Sequence, residues 1–327
     1  MDRRRFVLVT LAALVAPRLV LAQTAKKIWR VGYLSMASPE SDRHWVAALR
    51  QGLKDHGYVE GQNLILELRH ASNRADKVPG LAAELARRGV AVMLVYGGPA
   101  IAEAKKAMSN VPIVMLVHAD PVGSGVVASL ARPGGNITGL TDGHADLAPK
   151  RLELLKEVVP SVSRVAALFN PATSFAIRQW QLVQAAAPRL GLTVLPIEIR
   201  GAGEIERAFG AIVKERADAV FIIPDPTWWV GQVPRIAALA IKHRLPAIGT
   251  VREFADKGVL VAYGTNFAEL WRRSASYVDR ILKGAKPGDL PIEQANKFDL
   301  VINLKTAKAL GITVPRAVLL RADQVID

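Results

Sequence analysis

The sequence predicts an α/β fold made of two doubly wound lobes, and two observations carry this prediction. Short β-rich runs alternate with amphipathic stretches, a pattern typical of parallel sheets covered by helices. The alternation occurs twice, in residues 28–117 and again in residues 165–248, and neither half contains low-complexity sequence. The length of 327 residues also favours two domains over one.

The first half of the chain predicts four strands separated by three helices. The first helix is the clearest, because Trp45, Leu49 and Leu53 recur at four-residue spacing and Gly57 follows as its stop. The predicted strands are residues 28–34, 64–68, 90–95 and 113–117, and the predicted helices are residues 41–56, 75–88 and 99–108.

The second half repeats this plan. Its predicted strands are residues 165–169, 193–198, 219–223 and 247–248, and its predicted helices are residues 175–190, 205–215 and 233–243. Segments rich in glycine or proline at 139–144, 258–264 and 287–294 are expected to join the lobes, so the chain would cross between them three times. Three crossings favour hinge closure of one lobe on the other. The expected division is a signal peptide of residues 1–22, an N-terminal lobe of residues 23–142 and 262–287, and a C-terminal lobe of residues 143–261 and 288–327.

The N-terminus has the features of an export signal. Three arginines at positions 3–5 precede an apolar run at 6–15, which is too short to cross a hydrocarbon core of about 30 Å as a helix. Ala22 and Val20 are the compact residues that signal peptidase requires, so we expect cleavage after Ala22 and a periplasmic mature protein. An anchoring or buried helix is the alternative interpretation. A weak twin-arginine pattern leaves the export route open.

The composition excludes several classes of site. The chain has no cysteine, which rules out a lipoprotein anchor, thiolate metal sites, cysteine nucleophiles and redox chemistry. The formal net charge is +14, yet the basic residues are spread over predicted helices and not gathered in one block. We interpret this charge as solvated helix faces and expect no nucleic-acid partner. No GxGxxG or P-loop pattern and no metal-binding set appears, so no cofactor or metal is expected.

Binding sites in open α/β sheets lie at the carboxyl ends of the strands, and those positions give a short set of candidate ligand contacts. They are Ser35, Met36, Gly97, Gly98 and His118 in the first lobe, and Asn170, Thr173, Asp225, Trp228 and the run 250–253 with Glu253 in the second. Helix N-termini beside them suit an anionic group such as a carboxylate. Asp225 or Glu253 suits an ammonium group, and Trp228 or Trp229 suits an aromatic or apolar body.

Some of these positions have a structural explanation as well. Asp120 before Pro121 is typical of a helix N-cap. His118 fits a packed core residue equally well. One of Trp228 and Trp229 is expected in the core, because neighbouring residues of a helix or strand point in different directions.

Four segments resemble the ABC transporter substrate-binding protein family that includes tryptophan/tyrosine-type binding proteins. The most specific is the glycine-rich run DPVGSGVVASLARPGGNITG at residues 120–139. The others are YVEGQN at 58–63, KFDLVINLKTAKALG at 297–311 and LRADQVI at 320–326. The similarity covers essentially the whole chain after the signal.

The resemblance implies a type I periplasmic-binding-protein fold, in which two Rossmann-like lobes joined by three crossovers close on a ligand. In amino-acid binders of this fold the ligand carboxylate is held at the exits of the third and fourth strands of the first lobe. The matching residues here are Gly97, Gly98, Val117 and His118. The ammonium group meets an acid on the second lobe, for which Glu253 and Asp225 are the matching positions.

The resemblance also implies a monomeric solute-binding component of an ABC importer that performs no catalysis and meets permease subunits at the membrane. An aromatic amino acid is the first expectation for the ligand. A branched-chain acid, an amide or another small carboxylate would also fit between the strand ends of the two lobes. Gly97 and Gly98 keep this choice open, because many relatives carry a hydroxyl residue there. The alternative from a different class is a two-lobed Rossmann-like enzyme, which would need the phosphate loop that this chain lacks.

Overall fold

The structure is a computed structural model that describes residues 27–142, 146–224 and 229–327. The strands are β1 (Trp29–Ser35), β2 (Leu64–His70), β3 (Val92–Tyr96), β4 (Ile113–Val117), β5 (Ile137–Thr141), β6 (Arg164–Phe169), β7 (Thr193–Glu198), β8 (Ala219–Ile222), β9 (Ala247–Gly249), β10 (Val261–Thr265), β11 (Glu293–Gln294), β12 (Phe298–Asn303) and β13 (Gln324–Ile326). The helices are α1 (Arg43–Asp55), α2 (Val78–Arg87), α3 (Gly98–Ala107), α4 (Ala148–Val158), α5 (Ser174–Ala186), α6 (Ile205–Lys214), α7 (Trp229–Lys242), α8 (Arg252–Asp256), α9 (Phe267–Leu282), α10 (Leu304–Leu310) and α11 (Arg316–Leu319).

The strands form two separate sheets, one in each lobe. The first has the order β11-β5-β4-β3-β1-β2 with every neighbouring pair parallel. The second has the order β13-β12-β10-β9-β8-β6-β7 and is parallel except where β10 meets β12. Strands β3 and β4 are apolar and buried along their whole length, as expected for parallel strands with helices on both faces. The predicted fold of two doubly wound α/β lobes is confirmed.

The chain passes between the two sheets three times, as predicted. It leaves the first sheet after β5, returns after β10 to add α9 and β11, and leaves again before β12. The crossings lie side by side, because Thr265 Oγ1 donates to the carbonyl of Asp142 at 2.8 Å and the amide of Ala295 donates to the carbonyl of Thr141 at 2.8 Å. Such adjacent strands are suited to act as one hinge.

Two of the crossings come later in the chain than the expected lobe boundaries. Strand β10 extends to residue 265 in the second sheet, past the boundary at 262, and β11 at 293–294 belongs to the first sheet, past the boundary at 288. The reason is that the nearby glycines serve turns within a lobe. Gly258 has a φ of +102° after α8, and the carbonyl of Gly288 accepts from the amide of Gly134 inside the first lobe.

Helix α9 belongs to the first lobe although it follows the second in sequence. It packs closely on α1 at Gly52, where a Cβ atom would lie 2.3 Å from the carbonyl oxygen of Arg272. Trp271 Nε1 donates to the hydroxyl of Tyr33 at 3.0 Å, and Tyr58 donates to Asp279 at 3.0 Å. These contacts tie α9 to β1 and fix the wall that it contributes to the cleft.

The predicted helices and strands are all present, with ends within four residues of the expected ones. Strand β5, helix α4 and all the elements that follow β9 were not predicted. The glycine-rich run has a turn where a helix N-cap was expected: Asp120 Oδ1 accepts from the amide of Gly123 at 2.8 Å. A Cβ atom at Gly123 would lie 2.1 Å from Asp120 Oδ2, which explains the glycine. The predicted signal peptide lies outside the described residues.

Candidate functional site between the two lobes

A cavity of about 210 Å³ lies between the lobes. It is reached by the carboxyl ends of strands from both sheets, the place where open α/β folds bind ligands. The residues that line it are Met36, Ala37, Asn73, Tyr96, Gly97, Gly98, Val117, His118, Ala119, Asp142 and Phe267 from the first lobe, and Thr173, Phe175, Pro224, Thr250 and Val251 from the second. The volume is below the range of about 300–1,000 Å³ for drug-sized ligands, so the cavity suits a smaller solute.

The structure brings five of the predicted site residues together on one wall of this cavity. They are Met36, Gly97, Gly98, Val117 and His118, all at the ends of β1, β3 and β4. Thr173 and Thr250 of the predicted second-lobe rim face the same space. Thr173 is also the N-cap of α5, because its side chain accepts from the amide of Ala176.

Three other predicted site residues are not among the residues that line the cavity. Ser35 is fully buried and accepts from the amide of Ala37 at 3.1 Å, so it holds the loop after β1. Asn170 is 4% exposed, and its side chain accepts from the amide of Ala172 in the turn after β6. Glu253 is engaged elsewhere, as described below. The predicted contacts Asp225 and Trp228 lie outside the described residues.

Gly97 shapes the wall through its backbone. Its φ of +99° is a conformation that favours glycine, and a Cβ atom there would lie 2.5 Å from Cγ of Met36. Gly98 begins α3, and a Cβ atom on it would meet nothing within 4 Å. The N-terminus of α3 therefore reaches the cavity through the backbone of Gly98, whereas Pro99 at the next position has no amide hydrogen. A helix N-terminus and its dipole favour an anionic group.

His118 presents a neutral imidazole. Burial lowers its pKa below the ordinary value, although the carboxylates of Asp142 and Asp120 oppose this change. Its Nδ1 accepts from the amide of Asp120 at 3.1 Å, so the ring proton belongs on Nε2, 3.4 Å from the Ser124 hydroxyl. His118 thus adds no positive charge to the wall near neutral pH.

An aromatic cluster lies on the first-lobe side of the cavity. Tyr96 and Phe267 line it with ring centroids 6.3 Å apart, and Trp45 and Trp271 pack behind them at centroid distances of 5.0–5.6 Å. Burial and then the nearby carboxylates raise the pKa of Tyr96, so the phenol stays protonated. Phe175 of the second lobe lines the same cavity. The sequence prediction missed these aromatic residues because Tyr96 ends a buried strand and Phe267 follows the second crossing.

Asp142 supplies the acidic group of the cavity. It follows β5 at the first crossing, is 4% exposed and lines the cavity. Among the lining residues that the structure describes, it is the only acidic residue, and none is lysine or arginine. The sequence prediction did not include it, because β5 was not recognised as a strand and its exit was therefore not inspected.

Glu253 links the two lobes beside the cavity. From α8 of the second lobe, Oε1 accepts from Trp45 Nε1 at 2.8 Å and lies 2.8 Å from His44 Nε2 on α1 of the first lobe. Burial alone would raise the pKa of this carboxyl, but the hydrogen bonds from His44, its own amide and Trp45 outweigh burial, and the pKa lies below its ordinary value.

Comparison with known proteins places the chain among solute binders. The profile of the family described as ABC transporter substrate binding protein matches residues 31–326. The chain belongs to this family.

The chain is also similar to proteins of known name or structure. A tyrosine-binding protein from Clostridioides difficile (strain R20291) is 25% identical over 262 residues, which are 80% of this chain and 75% of the relative. The ABC domain from Streptococcus pneumonia in complex with L-Trp is 27% identical with a TM-score of 0.82, covering 92% of this chain and 100% of that one. A conserved domain protein from Vibrio cholerae O1 biovar El Tor has the same TM-score at 28% identity, covering 91% and 100%.

This ABC transporter substrate-binding protein has the type I periplasmic-binding-protein fold that the resemblance implied. The residues that the structure describes contain no group of three or more histidine, cysteine or acidic side chains that could hold a metal ion. None of their helices is both long and apolar enough to cross a membrane.

Proposed function

We propose that this chain is an exported, periplasmic component of an ABC importer that captures an aromatic amino acid or a related small carboxylate in the interlobe cavity. Residues 1–22 serve as a cleaved export signal, and the mature protein acts as a monomer. Closure of the lobes on the ligand creates the surface that the permease subunits recognise, so the protein performs no catalysis. The observation that carries the proposal is the cavity itself, which both lobes line at the carboxyl ends of their strands.

The aromatic ligand class is supported by the walls of the cavity. Tyr96 and Phe267 of the first lobe and Phe175 of the second line the cavity, and aromatic rings suit a flat apolar body. The N-terminus of α3 at Gly98 offers its amide and the positive end of the helix dipole to a carboxylate. Two relatives point the same way, one named a tyrosine-binding protein and one solved with L-Trp. Asp225 and Trp228 stay predicted contacts on the second lobe.

A thermal-unfolding screen of the mature protein tests this proposal, with L-tryptophan, L-tyrosine, L-leucine and glycine as probes. A ligand present at about one hundred times its dissociation constant raises the free energy of unfolding by about 2.7 kcal/mol. We expect that stabilisation for an aromatic amino acid and a smaller one for glycine. Phe175→Ala should reduce it, whereas Ile177→Ala on the exposed face of the same helix should not. Turnover of any probe, detected by mass spectrometry, would contradict a pure binding function.

A further inference from the structure

Cations that are scattered in the sequence come together at one end of the second lobe. Strands β8, β9 and β10 are parallel neighbours, so the helices α6, α7 and α8 that precede them all end at the same edge of the sheet. The exposed cations at these helix ends, called the basic end from here on, are Lys214, Arg216, Lys242, Arg244 and Lys257. The cavity lies at the opposite edge, where the carboxyl ends of the strands meet the first lobe.

We infer that the basic end is a docking surface for an anionic phospholipid membrane. This inference goes beyond the proposed function, because it needs neither the cavity nor its ligand. Only the choice of a membrane as the anionic surface rests on the proposed export to the periplasm, where the importer lies in a membrane.

The three helix ends form one surface. The ring of His243 at the end of α7 stacks on Phe209 of α6 with ring centroids 6.2 Å apart. The end of α8 passes close to α7, because a Cβ atom at Gly258 would lie 3.4 Å from Cβ of Ala237. The five cations therefore act on the same partner and not on separate faces of the lobe.

The carboxylates between these cations have partners of their own. Glu215 lies 3.9 Å from Arg164, and Asp218 accepts from the amide of Arg164 at 2.8 Å. Asp256 lies 3.2 Å from Arg252 on its own helix. Within the described part of the chain, none of the five cations of the basic end forms a salt bridge. The basic end therefore presents positive charge to a partner outside the molecule.

Two of the cations occupy positions where glycine is the favoured residue. Arg216 follows α6 with a φ of +52°, and Arg244 follows α7 with a φ of +55°, the left-handed conformation in which helices commonly end on glycine. The next amide donates back into the helix in both cases, at 3.1 Å for Ala217 and 2.8 Å for Leu245. An arginine in this conformation is strained where a glycine is not. The same strained choice at two neighbouring helix ends indicates a use for the charge.

An exposed apolar side chain among the cations favours a lipid surface over a nucleic acid. Val213 in the last turn of α6 is 47% exposed, directly before Lys214. Surfaces that bind membranes combine cations, which attract anionic headgroups, with apolar side chains that enter the boundary between headgroups and acyl chains. A nucleic acid backbone offers no such apolar layer.

A purely structural role for these cations is the alternative. Basic residues at the C-terminal end of a helix interact favourably with the helix dipole and need no partner to do so. In that case removal of the arginines would lower stability and leave membrane binding unchanged, whereas the docking function requires the reverse.

Co-sedimentation of the mature wild-type protein with vesicles tests the inference. The anionic vesicles contain about 30% phosphatidylglycerol in phosphatidylcholine, and the uncharged vesicles contain phosphatidylcholine alone. We expect binding to the anionic vesicles only, weakened by about tenfold when the salt concentration rises from about 0.05 M to about 0.5 M. Equal binding to both kinds of vesicle, or binding to neither, would overturn the inference. Tighter binding to duplex DNA than to the anionic vesicles would overturn it as well, since the basic end would then be a nucleic-acid site.

The variant Arg216→Gly with Arg244→Gly separates docking from structure. It removes two charges and gives each helix the residue that a left-handed end favours. Each cation near an anionic surface contributes roughly fivefold to affinity, so we expect vesicle affinity to fall by about tenfold to thirtyfold. The urea midpoint should equal that of wild type or rise. A lower midpoint with unchanged vesicle affinity would assign both arginines to the helix dipole and overturn the inference. Arg216→Lys with Arg244→Lys keeps both charges and should bind vesicles as wild type does.

Arg88→Gln with Lys106→Gln is the matched control. These cations lie at the ends of α2 and α3 in the first lobe, with side chains 51% and 73% exposed, and Arg88 has an ordinary helical φ of −71°. The control removes the same total charge, so its vesicle affinity should stay within about threefold of wild type. An equal loss in both double variants would show a response to net charge alone and overturn the inference.

The thermal-unfolding screen keeps this inference distinct from the proposed function. The basic end lies away from the cavity, so the double glycine variant should be stabilised by the same probes as wild type. A wild-type protein that binds anionic vesicles but no probe would contradict the proposed function alone. A protein that binds a probe but no anionic vesicle would overturn the docking surface alone.

Discussion

The carboxylate of Glu253 in the second lobe accepts a hydrogen bond from the indole of Trp45 in the first lobe at 2.8 Å. The same oxygen lies 2.8 Å from His44 Nε2, so one acidic side chain holds two neighbouring residues across the cleft. Trp45 also belongs to the aromatic cluster behind Tyr96. The contact between lobes is thereby coupled to the wall that we propose receives the ligand.

Removing this contact should favour the open arrangement of the lobes. For Glu253→Ala we expect a larger radius of gyration in solution scattering and ligand affinity weaker by about five- to tenfold. The reason is that a hydrogen bond to a charged group contributes on the order of 1.5 kcal/mol to the closed state alone, and a ligand that binds the closed state must then supply it.

Asp256→Asn is the control for this variant. Asp256 lies on the same short helix but pairs only locally with Arg252 in the described residues. It should leave both measurements unchanged. Unaltered scattering and affinity for Glu253→Ala would show that the contact does not contribute to closure.

Acid should weaken the same contact. With this contact formed, the pKa of Glu253 lies below its ordinary value of 4.5, so the contribution of the contact to stability is fully present above about pH 4.5 and is lost as the pH falls through the lowered pKa. The titratable groups that face it are His44 on α1 and the Tyr96 phenol on β3. We expect the difference in urea stability between wild type and Glu253→Gln to shrink below pH 4.5. A difference that grows in acid would contradict the sign of this shift.

The first-lobe wall could be predicted because its residues can be located from local sequence patterns. Each of Met36, Gly97 and His118 directly follows an apolar run that reads as a buried strand, and the carboxyl ends of parallel strands meet at one edge. Glu253 also follows a predicted strand, but its partner Trp45 is 208 residues away. No periodicity or motif reports a contact between lobes, so its role across the cleft was not predictable.

Asp142 and Phe267 were missed for a different reason. Strand β5 reads ITGLT, and its glycine weakens the strand pattern although Gly139 is required by close packing. A Cβ atom there would lie 2.1 Å from the carbonyl oxygen of Met115. Phe267 enters the first lobe only because α9 returns across the hinge, which is a property of the tertiary fold.

Packing between α1 and α9 should respond sharply to one methyl group. At Gly52 a Cβ atom would lie 2.3 Å from the backbone of Arg272, so Gly52→Ala must push the helices apart, and we expect a loss of about 1–3 kcal/mol in the free energy of unfolding. Gly80→Ala on α2 is the matched control. Its Cβ atom meets nothing within 4 Å, so the higher helix propensity of alanine should stabilise by about 0.5–1 kcal/mol. Urea titration of both variants gives the comparison, and a neutral Gly52→Ala would contradict the close approach.

The two adjacent glycines of the cavity wall should respond differently to the same substitution. Gly97→Ala places a side chain at a φ of +99° and 2.5 Å from Met36, so we expect both stability and ligand binding to fall, with a loss of about 1–3 kcal/mol in the free energy of unfolding. Gly98→Ala meets no neighbour, so its stability should stay within about 0.5 kcal/mol of wild type.

In Gly98→Ala the new methyl group would instead lie on the cavity wall at the N-terminus of α3, so we expect ligand affinity to fall by about tenfold through lost access to that helix end. Thermal unfolding with and without the ligand separates the two effects for both variants. If Gly98→Ala binds the ligand with unchanged affinity, the α3 N-terminus does not bind the ligand carboxylate. A helix end in contact with the ligand would not tolerate the added methyl group.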